Sequence, residues 1–185
     1  MALTLVKEDG TGLAGANAYA NAADGDAYHD GHLYASVWTA ASTAQKEAAL
    51  VMATRVMDAC CQFCGWRRSN AQALQWPRAG AVDPDRRDVQ FSVLDSRLGP
   101  YFEDDKVPKV IQDAACEQAR ELLTADRTGA PAGEGVKQLN LVGSLGVIFD
   151  ARDRPPMLSH LVQTMLAKVG SLVRESNGTA KLVRT

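Results

Sequence analysis

Apolar side chains recur at helical spacing between positions 43 and 64: Leu50, Ala53, Met57, Cys60/Cys61 and Cys64 share a stripe, with Lys46 and Arg55 left for water. Ser42 and Gln45 form a capping-box pair ahead of it, and Gly65 stands where a left-handed C-terminal cap is wanted, so the pattern predicts a helix over about 43–64. A shorter helix is expected over 22–30, capped by Asn21, with Asp24 and Asp26 near its start and Gly31 after it. Pro108, behind Asp104 and Asp105, opens a third, in which Ile111, Ala114/Ala115, Gln118 and Leu122 keep the period to about position 125. After Pro155-Pro156 a fourth carries the stripe Leu158, Leu161, Val162, Met165, Leu166, Val169, Leu172 and Val173.

Alternation marks the strands. Residues 138–142 and 145–149 read as a hairpin joined by Gly143-Ser144, with Val142, Leu145, Val147 and Phe149 on one face and Leu139, Leu141 and Ile148 on the other. A ribbon apolar on both faces needs cover on both sides. Val89, Phe91 and Val93 alternate with Gln90 and Ser92, which suggests one more short strand. Residues 1–20 and 66–106 are irregular, 126–135 is a Gly/Pro/Ala-rich linker, and no internal repeat occurs. The fold class expected is mainly α: a small bundle of about four helices with a β-hairpin, long loops and an extended C-terminal tail, arranged as one domain (1–173, hairpin about 138–149) and a tail (174–185).

Composition narrows the function classes. The 185 residues suffice for one core, abundant alanine with 6% aromatics favours close-packed helices, and the net charge of −2 argues against a dedicated nucleic-acid binder. The longest clear apolar run, 48–53, is far too short for a membrane helix, so no membrane partner is expected. Lys7, Glu8 and Asp9 fall where a secretory signal would keep its apolar stretch, an argument against that route and for reduced thiols. Cys61 and Cys64 resemble half a zinc knuckle that Cys116, or His29 and His32, would have to complete. Four-residue spacing of Cys60 and Cys64 on an apolar helix face instead makes them small buried hydrophobes, and no second CxxC exists, so no metal and no cofactor are expected.

His29 and His32 are read as surface residues near a helix end, Gly143-Ser144-Leu145-Gly146 as a turn rather than a nucleophile elbow, and Glu103-Asp104-Asp105 as acids favoured ahead of a helix. No nucleophile, base and orienter set stands out, so no catalytic residue is named and the chain is expected not to be an enzyme. The densest functional stretch is 66–88, where Trp66 and Trp76 interleave with Arg67, Arg68, Arg78, Arg86 and Arg87, the mixture that stacks bases and holds phosphates. Asp83, Asp85 and Asp88 offset three of those five charges, leaving +2. Trp-Pro-Arg in a long loop is equally a protein anchor, the reading favoured here.

In order along residues 8 to about 123, several unusual words recur: Glu8-Asp9-Gly10-Thr11-Gly12 leading to Asn17-Ala18-Tyr19, Trp38 ahead of Lys46-Glu47-Ala48-Ala49-Leu50, then Ala53-Thr54 and Met57-Asp58. Trp66-Arg67, Gln75-Trp76-Pro77-Arg78, and Val107-Pro108 leading to Ile111 and Ala114 complete the set. Together they resemble a family of tailed-phage head–tail connector (adaptor) proteins, which also carries the label DnaT-like single-stranded DNA-binding. Ala18 stands where serine is expected, and the Cys60/Cys61/Cys64 cluster is no hallmark of that family.

The resemblance implies a virion structural protein of the neck, assembled in the host cytoplasm into a ring, typically of twelve copies. It would dock on the portal protein, meet the next connector, tail-terminator or tail protein, and pass genomic DNA without binding it tightly. Rings need two different adhesive surfaces; the residues inferred to supply subunit or portal contacts are Arg67, Trp76, Arg78, Leu141, Ile148, Arg174, Lys181 and Arg184. The alternative takes the label literally: a single-stranded DNA-binding, DnaT-like replication accessory protein using Trp66, Trp76 and the nearby arginines, with a steep salt dependence.

Overall fold

The computed structural model describes residues 3–85, 101–129, 138–141, 145–148 and 156–173. Helices dominate: α1 (Ala22–His29), α2 (Ser36–Ala40), α3 (Thr43–Cys60), α4 (Lys109–Thr124) and α5 (His160–Leu166). The strands β1 (Cys61–Phe63), β2 (Trp66–Arg67), β3 (Arg78–Ala79), β4 (Gln138–Leu141), β5 (Leu145–Ile148) and β6 (Gly170–Leu172) pair only two at a time, β1 with β6, β2 with β3 and β4 with β5, all antiparallel.

Helix starts follow from local chemistry. Asn21 and Asp24, and Ser42 and Gln45, form reciprocal capping boxes at α1 and α3, satisfying donors that the first helical turn leaves free. Helix ends depart from the sequence pattern. α3 stops at Cys60, four residues short of expectation, because Cys61–Phe63 turns into a strand opposite Gly170–Leu172. The expected fourth helix is shortened in the same way: it begins at His160 behind the Ser159 cap, ends at Leu166, and yields to β6. A Cβ on Gly170 would lie 2.6 Å from the Gln62 carbonyl oxygen, so glycine is what lets β6 approach β1. α2, with no side-chain cap, was not foreseen.

α3 and α4 form the central pair. Alanines at 49, 53, 114, 115 and 119 are buried there, and small side chains let helix axes come close. One cluster gathers Tyr19, Met57, Phe63, Trp76, Ile111, Leu158, Val162 and Val169; the other gathers Trp38, Leu50, Ala53, Cys116 and Ala119. Gln118, fully buried on α4, donates through Nε2 to the Met157 carbonyl (2.8 Å) and accepts at Oε1 from the Ser159 amide (3.1 Å), which pins the start of α5.

At the N-terminal loop the buried Glu8 carboxylate accepts from the amides of Gly10 (3.0 Å), Gly12 (2.9 Å) and Leu13 (2.9 Å).

The hairpin is present with a shifted register. Leu141 faces Leu145 and Leu139 faces Val147, while Ile148 faces Gln138. The pairing of Leu141 with Leu145 replaces the expected pairing of Val142 with Leu145, a register one residue away from the expectation. Asn140 pairs with Gly146. The strand expected at Val89–Val93 lies outside the described residues. Among the described residues no helix is long and apolar enough to cross a membrane.

Gly25 sits in α1 beneath the Trp38 indole, where a Cβ would come within 2.3 Å of Cζ2. Alanine is the better helix former by about 1 kcal/mol, yet Gly25→Ala is expected to lower stability by about 1–3 kcal/mol through overpacking. Urea unfolding measures it; a gain in stability would show that propensity outweighs the clash.

Candidate functional site

The stretch 66–80 is built around two tryptophans with opposite fates. Gly65 (φ +70°) makes the turn from β1 into β2, and a Cβ there would fall 2.3 Å from the Ala79 carbonyl oxygen. β2 then pairs with β3, Trp66 opposite Ala79 and Arg67 opposite Arg78. Gly80 (φ +66°) follows, and a Cβ on it would meet Trp66 Cζ3 at 2.5 Å. The Trp66 indole therefore rests against the bare Gly80 backbone and remains 66% exposed.

Trp76 is 0% exposed, edge-on to Phe63 and Phe102 with ring centroids 5.9 Å away in both cases. Its peptide bond to Pro77 is cis. Arg78 is 8% exposed and spends its guanidinium internally: Nε donates to the Cys64 carbonyl (2.7 Å), Nη2 to the Gly65 carbonyl (2.6 Å), and Nη1 to the Gln75 carbonyl and Oε1. Trp76-Pro77-Arg78 is thus no surface anchor. A partner of any kind would have to unfold the loop to reach it, so the anchor reading is corrected: the motif props up the turn that presents Trp66.

Arg67 is half-buried, and its Nε is a buried donor without a hydrogen-bond partner. Arg68 is exposed, and its Nη1 donates to the carbonyls of Gly10 (3.3 Å) and Asp104 (3.1 Å), joining the N-terminal loop to the segment ahead of α4. Its Nε and Nη2 make no bond to another described residue. Arg86, Arg87, Arg174, Lys181 and Arg184 lie outside the described residues.

A buried network that the sequence did not reveal holds this loop. The Tyr19 hydroxyl donates to Asp58 Oδ1 (2.5 Å) and accepts from the amides of Gln75 (3.1 Å) and Trp76 (3.2 Å). Asp58 Oδ2 also accepts from the Gln75 amide (3.1 Å). Burial pushes the Asp58 carboxyl up to about 6 despite these bonds, and burial first, then the neighbouring Asp58 charge, pushes the Tyr19 phenol well above its ordinary range. The signal available in sequence was an acid beside buried Met57 and one turn from buried Thr54 on α3.

The histidines are not both superficial. His29 is buried, its ring 4.8 Å from Trp38, with Nε2 donating to the Cys116 carbonyl (3.2 Å) and Nδ1 without a partner. Burial holds its pKa below the ordinary imidazole value. His32 Nε2 stands 3.7 Å from the buried Glu117 carboxylate. The cysteines do not share a helical face: Cys64 is exposed beyond the helix, while buried Cys61 and Cys116 have thiols pushed up to about 12. Among the described residues no three His, Cys, Asp or Glu side chains are disposed to hold a metal.

A family profile described as "Putative DnaT-like ssDNA binding protein" matches residues 3–185. No curated protein and no solved structure matches the chain. The family match overturns the connector reading of the resemblance. The family is described by single-stranded DNA binding, the alternative reading, so the connector ring, the portal and tail partners, and a channel that avoids binding DNA are withdrawn.

Asp58 generates a pH prediction. Its folded-state pKa is raised, so its contribution to stability is complete below the ordinary carboxylate value near 4 and is lost as pH rises through about 6. His29, with a lowered pKa, works oppositely: its contribution is complete above the ordinary imidazole value and is lost as pH falls through the lowered folded-state value. Subtracting Asp58→Asn from the native chain isolates the first term. The stability difference between the two proteins, from urea titrations at pH 4.5 and 7.5, is expected to shift toward the native chain at the lower pH by on the order of 2 kcal/mol. A pH-independent difference would refute it.

Proposed function

We propose that this chain, which belongs to the DnaT-like ssDNA binding protein family, binds single-stranded DNA by stacking a base on Trp66, with Arg67 and Arg68 beside it for the flanking phosphates. The observation that carries the reading is the exposed indole seated on Gly80. A large aromatic held open on a braced turn is a ready surface on which a base can stack. Stacking on such a ring tolerates any base because every base has a π-face, and it favours single strands, whose bases are already free of a partner. The activity proposed is binding without catalysis.

Electrostatics gives this binding its character. Arg78 is consumed inside the fold, and Lys106 and Lys109 pair with Glu103 and Asp113. Arg68, exposed with Nε and Nη2 unbonded to another described residue, and Arg67, half-buried with its charge acting on Asp58, are then the basic groups that follow Trp66 directly in the chain. Single-stranded DNA loses affinity with a log–log salt slope of about −0.7 per neutralised phosphate, so two arginines give about −1.4. Of the five arginines in 66–88, Arg78 is engaged inside the fold and Arg86 and Arg87 lie outside the described residues, so a slope near −1.4 is what Arg67 and Arg68 alone would give.

The test is fluorescence anisotropy of a labelled oligothymidylate with the native chain, Trp66→Ala and Trp66→Phe. Trp66→Ala should weaken binding by about 1–3 kcal/mol, roughly 5- to 150-fold, and Trp66→Phe should keep most of the affinity. Equal binding by Trp66→Ala, no binding by the native chain, or equal affinity for the duplex would overturn the reading. Titration from low to moderate salt should give the slope of about −1.4; one several times steeper would place the binding on basic residues other than these two.

A further inference from the structure

The loop between α1 and α2 carries the two most exposed large apolar side chains of the described residues: Leu33 is 92% exposed and Tyr34 75%. His32, directly ahead of them, ties this tip down. Its own amide donates to the His29 carbonyl (3.0 Å), and its ring Nδ1 lies 3.0 Å from the Tyr34 amide nitrogen. A backbone N–H can only donate, so Nδ1 is the unprotonated nitrogen that accepts. The neutral ring then carries its proton on Nε2, which stands 3.7 Å from Glu117 Oε2 on α4.

Glu117 lacks a partner at that very atom. The residue is buried; Oε1 accepts from Arg120 Nη2 (2.5 Å), whereas Oε2 is buried with no hydrogen bond. A buried acceptor without a donor is costly, and 3.7 Å is too long for His32 to supply one.

The other titratable groups around the ring come from three elements among the described residues. From α1, the His29 ring lies 5.8 Å away with Tyr28 edge-on to it, and burial holds the His29 pKa below the ordinary imidazole value. From α4, Arg120 bridges Glu117 and Glu121, Asp113 is paired with Lys109, and Cys116 gives its carbonyl to His29. On the loop, Asp30 is exposed and the Tyr34 ring stands 6.3 Å from that of His32. α2 contributes no titratable side chain.

Protonation cannot leave this arrangement unchanged. The second proton goes to Nδ1, where it turns the acceptor of the Tyr34 amide into a donor, while Nε2 keeps its own. It also makes the ring a cation beside a buried carboxylate oxygen that has no donor. We propose that His32 is a proton-operated latch on the Leu33-Tyr34 tip: neutral, it ties the Tyr34 amide; protonated, it releases that amide and closes onto Glu117 Oε2. The proposal does not rest on the DNA-binding reading.

NMR of the ring nitrogens and amides on the 15N-labelled full-length chain tests it, between about pH 8 and about pH 5, where imidazoles ordinarily titrate. At the upper end His32 Nδ1 should resonate as an unprotonated nitrogen, and the Tyr34 amide should be protected from exchange. Toward the lower end that protection, relative to an unstructured chain at the same pH, should fall about fivefold, the loss of one ordinary hydrogen bond. The fall should follow the titration of the His32 ring, and a slowly exchanging Nε2 proton, bonded to Glu117, should appear with it. His32→Asn places an acceptor that does not titrate two residues before the amide, so protection should persist at both ends. His32→Ala should abolish it at both. A protonated Nδ1 at the upper end, a Tyr34 amide that ignores the His32 titration, or the same fall in His32→Asn overturns the latch. An Nε2 proton still in fast exchange at the lower end overturns the closure onto Glu117.

Discussion

The hydroxyl of Tyr19 is the point on which the exposed half of this protein depends. It donates a hydrogen bond to Asp58 on α3 and accepts from the amides of Gln75 and Trp76, so one buried oxygen meets its full complement of one donation and two acceptances. A fully satisfied buried polar group fixes geometry in a way that apolar contact does not, since every alternative arrangement leaves a donor or acceptor unpaired. With Gln75 and Trp76 fixed, the Trp76 ring is committed to the core, where burial of an indole is worth about 3–5 kcal/mol by truncation. Arg78 is then close enough to hold the Cys64 and Gly65 carbonyls, and the turn they form is what keeps Trp66 outside. The outer tryptophan is rigid because the inner one is anchored.

What the sequence made legible was local. Caps at Asn21/Asp24 and Ser42/Gln45, and the start of α4 behind Pro108, were readable because each cap is completed within one helical turn. The ends of α3 and α5 were not, because both are decided by a pairing between Cys61–Phe63 and Gly170–Leu172 that no local window contains. The pairing of 138–141 with 145–148 was identified, yet its register is one residue away from the expected one.

The candidate site shows the same division. The word Trp66-Arg67-Arg68 was singled out, but Trp66 and Trp76 carry the same local signals, arginines nearby and a loop around them. The Tyr19 hydroxyl, 57 positions from Trp76 and itself held by Asp58, is bonded to the amide of the one that is buried and not to the one that is exposed. The inward turn of Arg78 was hidden for the same reason, and with it fell the partner-anchor reading. Gly80 gave no signal at all, since its role is to be absent beneath an indole.

The loop at Glu8 has a consequence for what this surface admits. Three successive-turn amides, those of Gly10, Gly12 and Leu13, converge on one carboxylate, forming the kind of backbone cradle that in other folds grips a phosphate. Here the tenant is the protein's own side chain, buried and covalently tethered, and Arg68 leans against the same loop through the Gly10 carbonyl. A dissolved anion meets a tethered competitor of effectively very high local concentration. The amides of Gly10, Gly12 and Leu13 are therefore closed to phosphate and indifferent to salt composition.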